Sequence, residues 1–362
     1  MLFAKTMVNL AFPTPHTAWK LEIVSILAVL GESNIKIHAQ AITASRLCLL
    51  PRLLPAPQAL LRETRPKRLP YVEDVTVHDL NSNVKREGLN FIPNLIHRIE
   101  RIPDYCVEDV SISIAHPDRL ITFRSGAPLN QLAVASCCLS IGLISWSIVL
   151  GDGVALVALL LASFATSALG FASKWSLSEQ VRKSHRVSIQ EKVVIRTRNG
   201  AFVVVSCTAE VAQRLYWGNE AMHYELANRS SQTFGGVVGG LMLTAAVIFF
   251  ANCSWTMQAA IGLSYAVLNA TYWLMGSFPD RLNWDLTAFS VTTRPRKLRP
   301  TFTSAVWMAI HLSGSTTWVR EAGLLPKGSA WKIWLDEAED HIADGDWNPE
   351  AALDRAFQMK QV

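Results

Sequence analysis

The residues of this chain that could do chemistry are few and scattered. Its nine histidines form no HExxH or other compact ligand pair. His311 stands close to Ser313 and Ser315, the residue types a base and a nucleophile would use. No GxSxG elbow accompanies them, and Ala305 to Leu312 reads as a helix, so a surface or capping role is expected. Asp344, Asp346 and Asn348 imitate the start of a calcium loop, but Pro349 occupies the position where such a loop turns on glycine. Asn348 as an N-cap, with Pro349 at the first helical position, accounts for the same residues. The six cysteines, at 48, 106, 137, 138, 207 and 253, contain no CxxC pair and read as neither a metal site nor a disulfide framework. The expectation is a non-enzyme with no catalytic residue, no cofactor and no bound metal.

The remaining polar candidates lie inside long apolar stretches. Residues 129–173 hold one charged side chain, Asp152, and residues 234–278 hold none. Each stretch is long enough for two helices of about 20 residues, the length that crosses a hydrocarbon core of about 30 Å with all backbone amides satisfied. Four spans follow: Leu129 to Leu150, Gly153 to Ser173, Phe234 to Asn252 and Thr256 to Phe278. Within them, Gln258 and Asn269 are the strongest candidates for intramembrane polar contacts, with Ser136, Ser140, Ser145, Ser264 and Thr271 beside them. An ion or proton path usually holds ionisable groups, and these spans have none. Hydrogen bonding between helices is the favoured role, and a transporter or channel with a polar, uncharged path is the alternative. Gly235, Gly236, Gly239 and Gly240 make two overlapping GxxxG steps, a helix-packing face for close approach of backbones. That face joins spans of one chain or two chains of a homodimer; the sequence leaves both open.

The other segments must position these hairpins. Residues 1–70 are basic, acid-poor and broken by prolines at 51, 55, 57, 66 and 70. They read as a weakly ordered extension, ahead of a targeting segment or a secretory signal built on Leu21 to Gly31. Residues 71–128 form the first half of a small cytosolic α+β domain. There Val75 and Val77 mark a strand, and Ile92, Leu95, Ile96 and Ile99 one face of a helix that Pro103 closes. Val110 to Ile114 and Ile121 to Phe123 then make a hairpin around His116-Pro117-Asp118. Residues 174–233 supply the second half as β-β-α: a hairpin on Asn199-Gly200, expected to be type I′, then a helix capped by Thr208 and ended by Gly218. Residues 279–362 form a cytosolic helical tail. Its best helix, over 329–343, has an apolar face of Trp331, Trp334, Leu335, Ala338 and Ile342 that fits the cytosolic domain or a protein partner.

The fold class is thus a membrane protein: an all-α transmembrane part of four helices in two hairpins, a small cytosolic α+β domain and a helical C-terminal tail. The turns Gly151-Asp152-Gly153 and Cys253-Ser254-Trp255 carry no basic residue, which puts both termini and the central loop in the cytoplasm and leaves the organelle open. The net charge of +5 comes with no dense basic face, so nucleic acid is not an expected partner. The lipid bilayer is. With structured cytosolic parts and spans lacking ionisable groups, the favoured function is a scaffold or accessory subunit.

Several strings resemble a family of uncharacterised fungal integral membrane proteins. They are Gly151-Asp152-Gly153-Val154-Ala155-Leu156, Asn199-Gly200-Ala201-Phe202-Val203-Val204 followed by Leu215-Tyr216-Trp217-Gly218, and Leu268-Asn269-Ala270-Thr271-Tyr272-Trp273. Asn283-Trp284-Asp285-Leu286 and Gly314-Ser315-Thr316-Thr317-Trp318-Val319-Arg320 complete them. The likeness covers roughly residues 140–340 and implies a four-span membrane protein with no assigned chemistry.

Overall fold

A computed structural model of the chain describes residues 31–61, 65–117, 119–179 and 189–359. Residues 1–30, and with them the targeting and secretory readings, lie outside the described residues, as does Asp118. The chain divides into two compact units. A helical unit takes residues up to 65, 123–176 and 223–284; a sheet unit takes 66–122, 177–222 and 285 onward.

In chain order the elements used below are α1 (Glu32–Ala44), β1 (Val72–Asp79), β2 (Lys85–Leu89), α2 (Phe91–His97), β3 (Cys106–Ile114), α3 (Pro128–Val149) and α4 (Gly153–Ser173). There follow β4 (Gln190–Thr197), β5 (Phe202–Thr208), α5 (Ala209–Ala212), α6 (Arg229–Asn252) and α7 (Trp255–Met275). The last are β6 (Phe289–Thr293), β7 (Lys297–Leu298), α8 (Phe302–Ser313), α9 (Thr317–Ala322), α10 (Ser329–Asp340) and α11 (Pro349–Gln358).

The sheet unit is built on seven strands in the order β6-β3-β5-β4-β1-β2, with β7 also paired to β3. At its centre, β4 opposes Val194 to Val204 and Ile195 to Val203 of β5, and β5 runs parallel to β3 with Val110 opposite Val205. Val193, Val194, Ile195, Val203, Val204 and Val205 are all buried, the continuous apolar run expected where both faces of a strand are covered. One face, with Val107, Val194, Phe202 and Val204, is covered by α8 and a layer containing Trp318, Trp334 and Leu335. On the other, α5 packs against β3, β4 and β5.

Four sequence readings need correction here. The expected hairpin from 110 to 123 does not form, because β3 takes β6 on one side and β5 on the other. Strand β6 comes from more than 170 residues downstream, and such distant pairing leaves no local mark. The tail after 279 is therefore not only helical: β6 and β7 complete the sheet. The helix α2 ends at His97, with Arg98 left-handed (φ 52°), well short of Pro103. At the β4–β5 turn only Gly200 has positive φ (72°), Thr197 N–H donates to Ala201 O, and Gly200 N–H returns to Thr197 O. That is the three-residue hairpin ending in left-handed glycine, not type I′. Thr208 does cap α5, accepting from Val211 N, and Asn348 caps α11, accepting from Ala351 N.

In the helical unit, α3, α4 and α6 are long and apolar enough to cross a membrane. The fourth expected span, α7, is as long at 21 residues, but its Gln258, Ser264, Tyr265, Asn269, Thr271 and Tyr272 leave it outside that group.

The larger departure is at the N-terminal side. Of the stretch read as a weakly ordered extension, residues 31–61 are part of the helical core. Ile35, Ala39, Ile42, Cys48, Leu53, Leu54, Ala59 and Leu60 are buried in one cluster with Leu159 and Leu169 of α4 and Ile261 and Leu268 of α7. The prolines do break long helices: after α1 come two short 3-10 turns, Arg46–Leu49 and Pro57–Leu60, with irregular chain between them. What orders the segment is burial among the neighbouring helices, which overrides its weak local preferences.

Candidate functional site

The interior of the helical unit is where the chain concentrates buried polar groups. Buried backbone without regular structure needs its amides and carbonyls satisfied by protein, and here α3 does this with hydroxyls. Leu53 N–H donates to Ser140 Oγ at 2.8 Å, and the Ser136 hydroxyl donates to Leu53 O. Ser136 and Ser140 lie about 12 and 18 Å along α3 from its start, at a rise of about 1.5 Å per residue, so the segment penetrates toward the middle of the helix. Further fastenings are Ser45 Oγ to Asn130 Oδ1 at 2.5 Å and Trp175 Nε1 to Gln40 O at 3.0 Å. Asn34 Nδ2 donates to Asn269 Oδ1 at 3.0 Å, and His38 Nε2 pairs with Tyr272 O at 3.0 Å.

Each sequence-predicted site residue has a definite place. A Cβ on Gly239 would stand 2.7 Å from Leu169, and one on Gly235 would stand 3.2 Å from Ala172, so this pair lies against α4 of the same chain. Gly236 faces Leu61 at 3.3 Å, and Gly240 meets nothing within 4 Å. Gln258 Nε2 donates to Cys253 O at 2.9 Å and Ala251 O at 3.3 Å, closing the C-terminal end of α6. The glycine that sequence reasoning passed over is Gly170, where a Cβ would lie 2.4 Å from the carbonyl oxygen of Cys48. A lone glycine late in an apolar helix gave no local hint of it.

Asp152 joins the two interhelical turns. Its Oδ1 accepts from Ala155 N at 2.9 Å as N-cap of α4, and its Oδ2 accepts from Ser254 N at 2.8 Å. Burial raises its pKa, but the hydrogen bonds from Ala155, Ser254 and Val154 outweigh that and hold the carboxyl below its ordinary value. Asp152→Ala removes both acceptors, and a loss of about 1–2 kcal/mol is expected, measured as a drop in the melting temperature of the detergent-solubilised chain.

The most conspicuous group is Arg52. Its side chain is 1 % exposed inside the helical core, and its Nη1 donates to Leu47 O at 2.6 Å and Leu50 O at 3.2 Å. No ion pair forms with it among the described residues, and its Nε is buried without a partner. The buried Tyr272 hydroxyl lies beside the guanidinium, close enough to take a side-chain hydrogen bond from it.

The sheet unit carries a second polar cluster around a π-helical turn, Gln213–Trp217. His97 Nε2 meets Tyr216 Oη at 2.7 Å, Asn90 Nδ2 donates to Leu215 O and Gly218 O at 3.1 Å, and Arg86 Nη1 donates to Tyr216 O at 2.7 Å. Glu220 accepts from Phe91 N at 2.8 Å and Ile92 N at 3.0 Å. Burial pushes the Glu220 carboxyl up to about 7, against these two amides and Arg86, while burial lowers His97 to about 4.

Because Glu220 is raised in the folded state, its contribution is present below the unfolded value of about 4.5 and is lost as pH rises through about 7. His97 acts in the opposite sense: its contribution is present above about 6.5 and is lost as pH falls toward about 4. Glu220→Gln isolates the first effect. Between pH 4.5 and 8 the wild type should lose about 2 kcal/mol relative to the variant, allowing for partial solvation of the carboxylate. Paired denaturant titrations at the two pH values measure it.

The catalytic and metal candidates are spent on structure. The His311 Nδ1–H donates to Ile342 O at 2.8 Å, while the Ser313 hydroxyl donates to Ile310 O and accepts from Trp318 Nε1. Asp344 Oδ1 accepts from Asp346 N. Among the described residues no three His, Cys, Asp or Glu side chains gather as a metal site. All six cysteines are free. Arg294 pairs with Asp109 at 2.7 Å and Arg296 with the buried Glu108. The apolar face of α10 is occupied within this chain, with Trp334, Leu335 and Ala338 buried in the layer over the sheet. No family model, curated protein or solved structure matches this chain.

Proposed function

We propose that this chain is a four-span membrane protein, crossing with α3, α4, α6 and α7 and keeping both termini in the cytoplasm. In this reading it is a non-enzymatic scaffold or accessory subunit of a membrane assembly. The observation that carries the reading is the use made of the polar groups in the apolar helices. Ser136 and Ser140 hold Leu53, and Asn269 holds Asn34, so the side chains that would line a conducting path instead fasten the chain's own N-terminal segment. Absence of basic residues from both interhelical turns supports the orientation. The likeness to uncharacterised fungal integral membrane proteins points to the same class and adds no chemistry.

Gentle solubilisation followed by native mass spectrometry tests the role. The expected result is a stoichiometric complex, with a second protein or a second copy of this chain. A lone chain, together with solute flux in reconstituted vesicles that Asn269→Leu abolishes, would replace the scaffold reading with a transporter.

A further inference from the structure

A groove of about 500 Å³ lies between the last turns of α4 and the first turns of α6. Ala168 and Phe171 of α4 face Phe234, Gly235 and Val238 of α6 across it, and Leu226, Ser230 and Ser231 lie at its head. Gly235 brings the helices together behind the groove, since a Cβ there would stand 3.2 Å from Ala172. The rings of Phe171 and Phe234, 45 % and 73 % exposed, stand out on either side. The volume is that of an ordinary ligand site, about 300–1,000 Å³, and an apolar recess left empty forgoes the dispersion contacts of its whole lining. The head is cationic. Arg65 Nη1 donates to Leu226 O at 2.6 Å and Nη2 to Ala172 O at 2.8 Å, which places the guanidinium where the end of α4 meets the approach to α6. Lys174 is matched by Glu225 at 3.3 Å, whereas no carboxylate pairs with Arg65 among the described residues.

We propose that this groove binds one anionic phospholipid, with the upper part of an acyl chain along Ala168, Phe171 and Val238 and the headgroup phosphate at the head, near Arg65, Ser230 and Ser231. The inference rests on the membrane-crossing part of the reading above and not on the scaffold role. Two features favour lipid over a helix from a second copy. From Ser230 to Val238 the groove follows α6 for about 12 Å, at a rise of about 1.5 Å per residue, less than half of a hydrocarbon core of about 30 Å. Paired membrane helices also meet through small residues, but Gly235 and Gly239 are already taken by α4, and two exposed phenylalanines bracket the site. The uncompensated charge of Arg65 then favours an acidic headgroup, as a cationic side chain near a membrane surface does.

The test uses the full chain, purified in a neutral detergent and mixed with equal amounts of phosphatidylglycerol and phosphatidylcholine, with bound lipid counted by native mass spectrometry. One phospholipid per chain is expected, with phosphatidylglycerol preferred about fivefold, the effect of one cationic side chain beside an acidic headgroup. Ala168→Phe puts a ring into the groove and should weaken retention of both lipids about tenfold, the cost of exposing roughly two methylenes. Val238→Phe takes its place if that variant does not fold. Arg65→Gln should still retain lipid but lose the preference. No bound lipid, wild-type retention in the groove-filling variant, or an unchanged preference in Arg65→Gln overturns the site. A doubled chain mass that Ala168→Phe returns to a single one overturns it too, and assigns the groove to a second copy. None of these results touches the membrane reading, which fails separately if alkaline carbonate releases the chain from membranes without detergent.

Discussion

Gly170→Ala will unfold or severely destabilise the helical unit, by about 3 kcal/mol or more. The added methyl carbon would sit 2.4 Å from the Cys48 carbonyl oxygen and 3.2 Å from its carbon. Both are backbone atoms, so no side-chain rotation relieves the clash. Relief requires moving the 3-10 turn Arg46–Leu49 away from α4, which would also strain the bonds that Leu53 makes with Ser136 and Ser140. Gly142→Ala and Gly240→Ala are the controls, since a Cβ at either position meets nothing within 4 Å. They should be neutral, or stabilising by up to about 1 kcal/mol through helix propensity. Melting temperatures of the three variants in one detergent make the comparison. Equal behaviour of all three would mean that residues 45–50 do not pack on α4.

Trp334→Ala should cost the sheet unit about 4 kcal/mol. The indole is fully buried, its Nε1 donates to Pro349 O at 2.8 Å, and Trp331 meets it edge-to-face and Trp347 at a tilt, at centroid distances of 5.8 and 5.9 Å. Truncation would open a cavity under α8 and α11 and remove the indole's hydrogen bond to the Pro349 carbonyl. Trp334→Phe, which fills most of the volume but cannot donate, should lose about 1–3 kcal/mol. Urea unfolding followed by tryptophan fluorescence separates the two losses, and an unchanged midpoint for Trp334→Ala would show that α10 is not part of this core.

What could be read from the sequence is what local chemistry determines. Apolar runs of the right length mark α3, α4 and α6, the Val-rich pair around Asn199-Gly200 marks the centre of the sheet, and Thr208 and Asn348 mark their own helix starts. What could not be read depends on partners far away in the chain. Strand β6 is polar on most of its exposed length and is defined only by pairing with β3. Residues 31–61 were obscured by prolines, although Ile35, Ala39 and Ile42 repeat at helical spacing and were a usable signal. Arg52 shows nothing in the sequence of its burial; the carbonyls that hold it come from a turn that exists only because α4 and α3 pack on it. The overlapping glycines around 235–240 were visible as a close-packing face, but which of them face α4 is a matter of helix rotation that spacing alone leaves undetermined.

The most direct test of the account is the sidedness of two single cysteines, Ser254→Cys in the second interhelical turn and Ser329→Cys at the start of α10. Each is treated with a membrane-impermeant maleimide in sealed vesicles of known orientation, with the native chain as background. The account predicts that the two positions label from opposite faces, position 329 from the cytoplasmic face and position 254 from the other. Labelling of both from one face would contradict the four-span arrangement, and with it the assignment of α7 as a membrane helix.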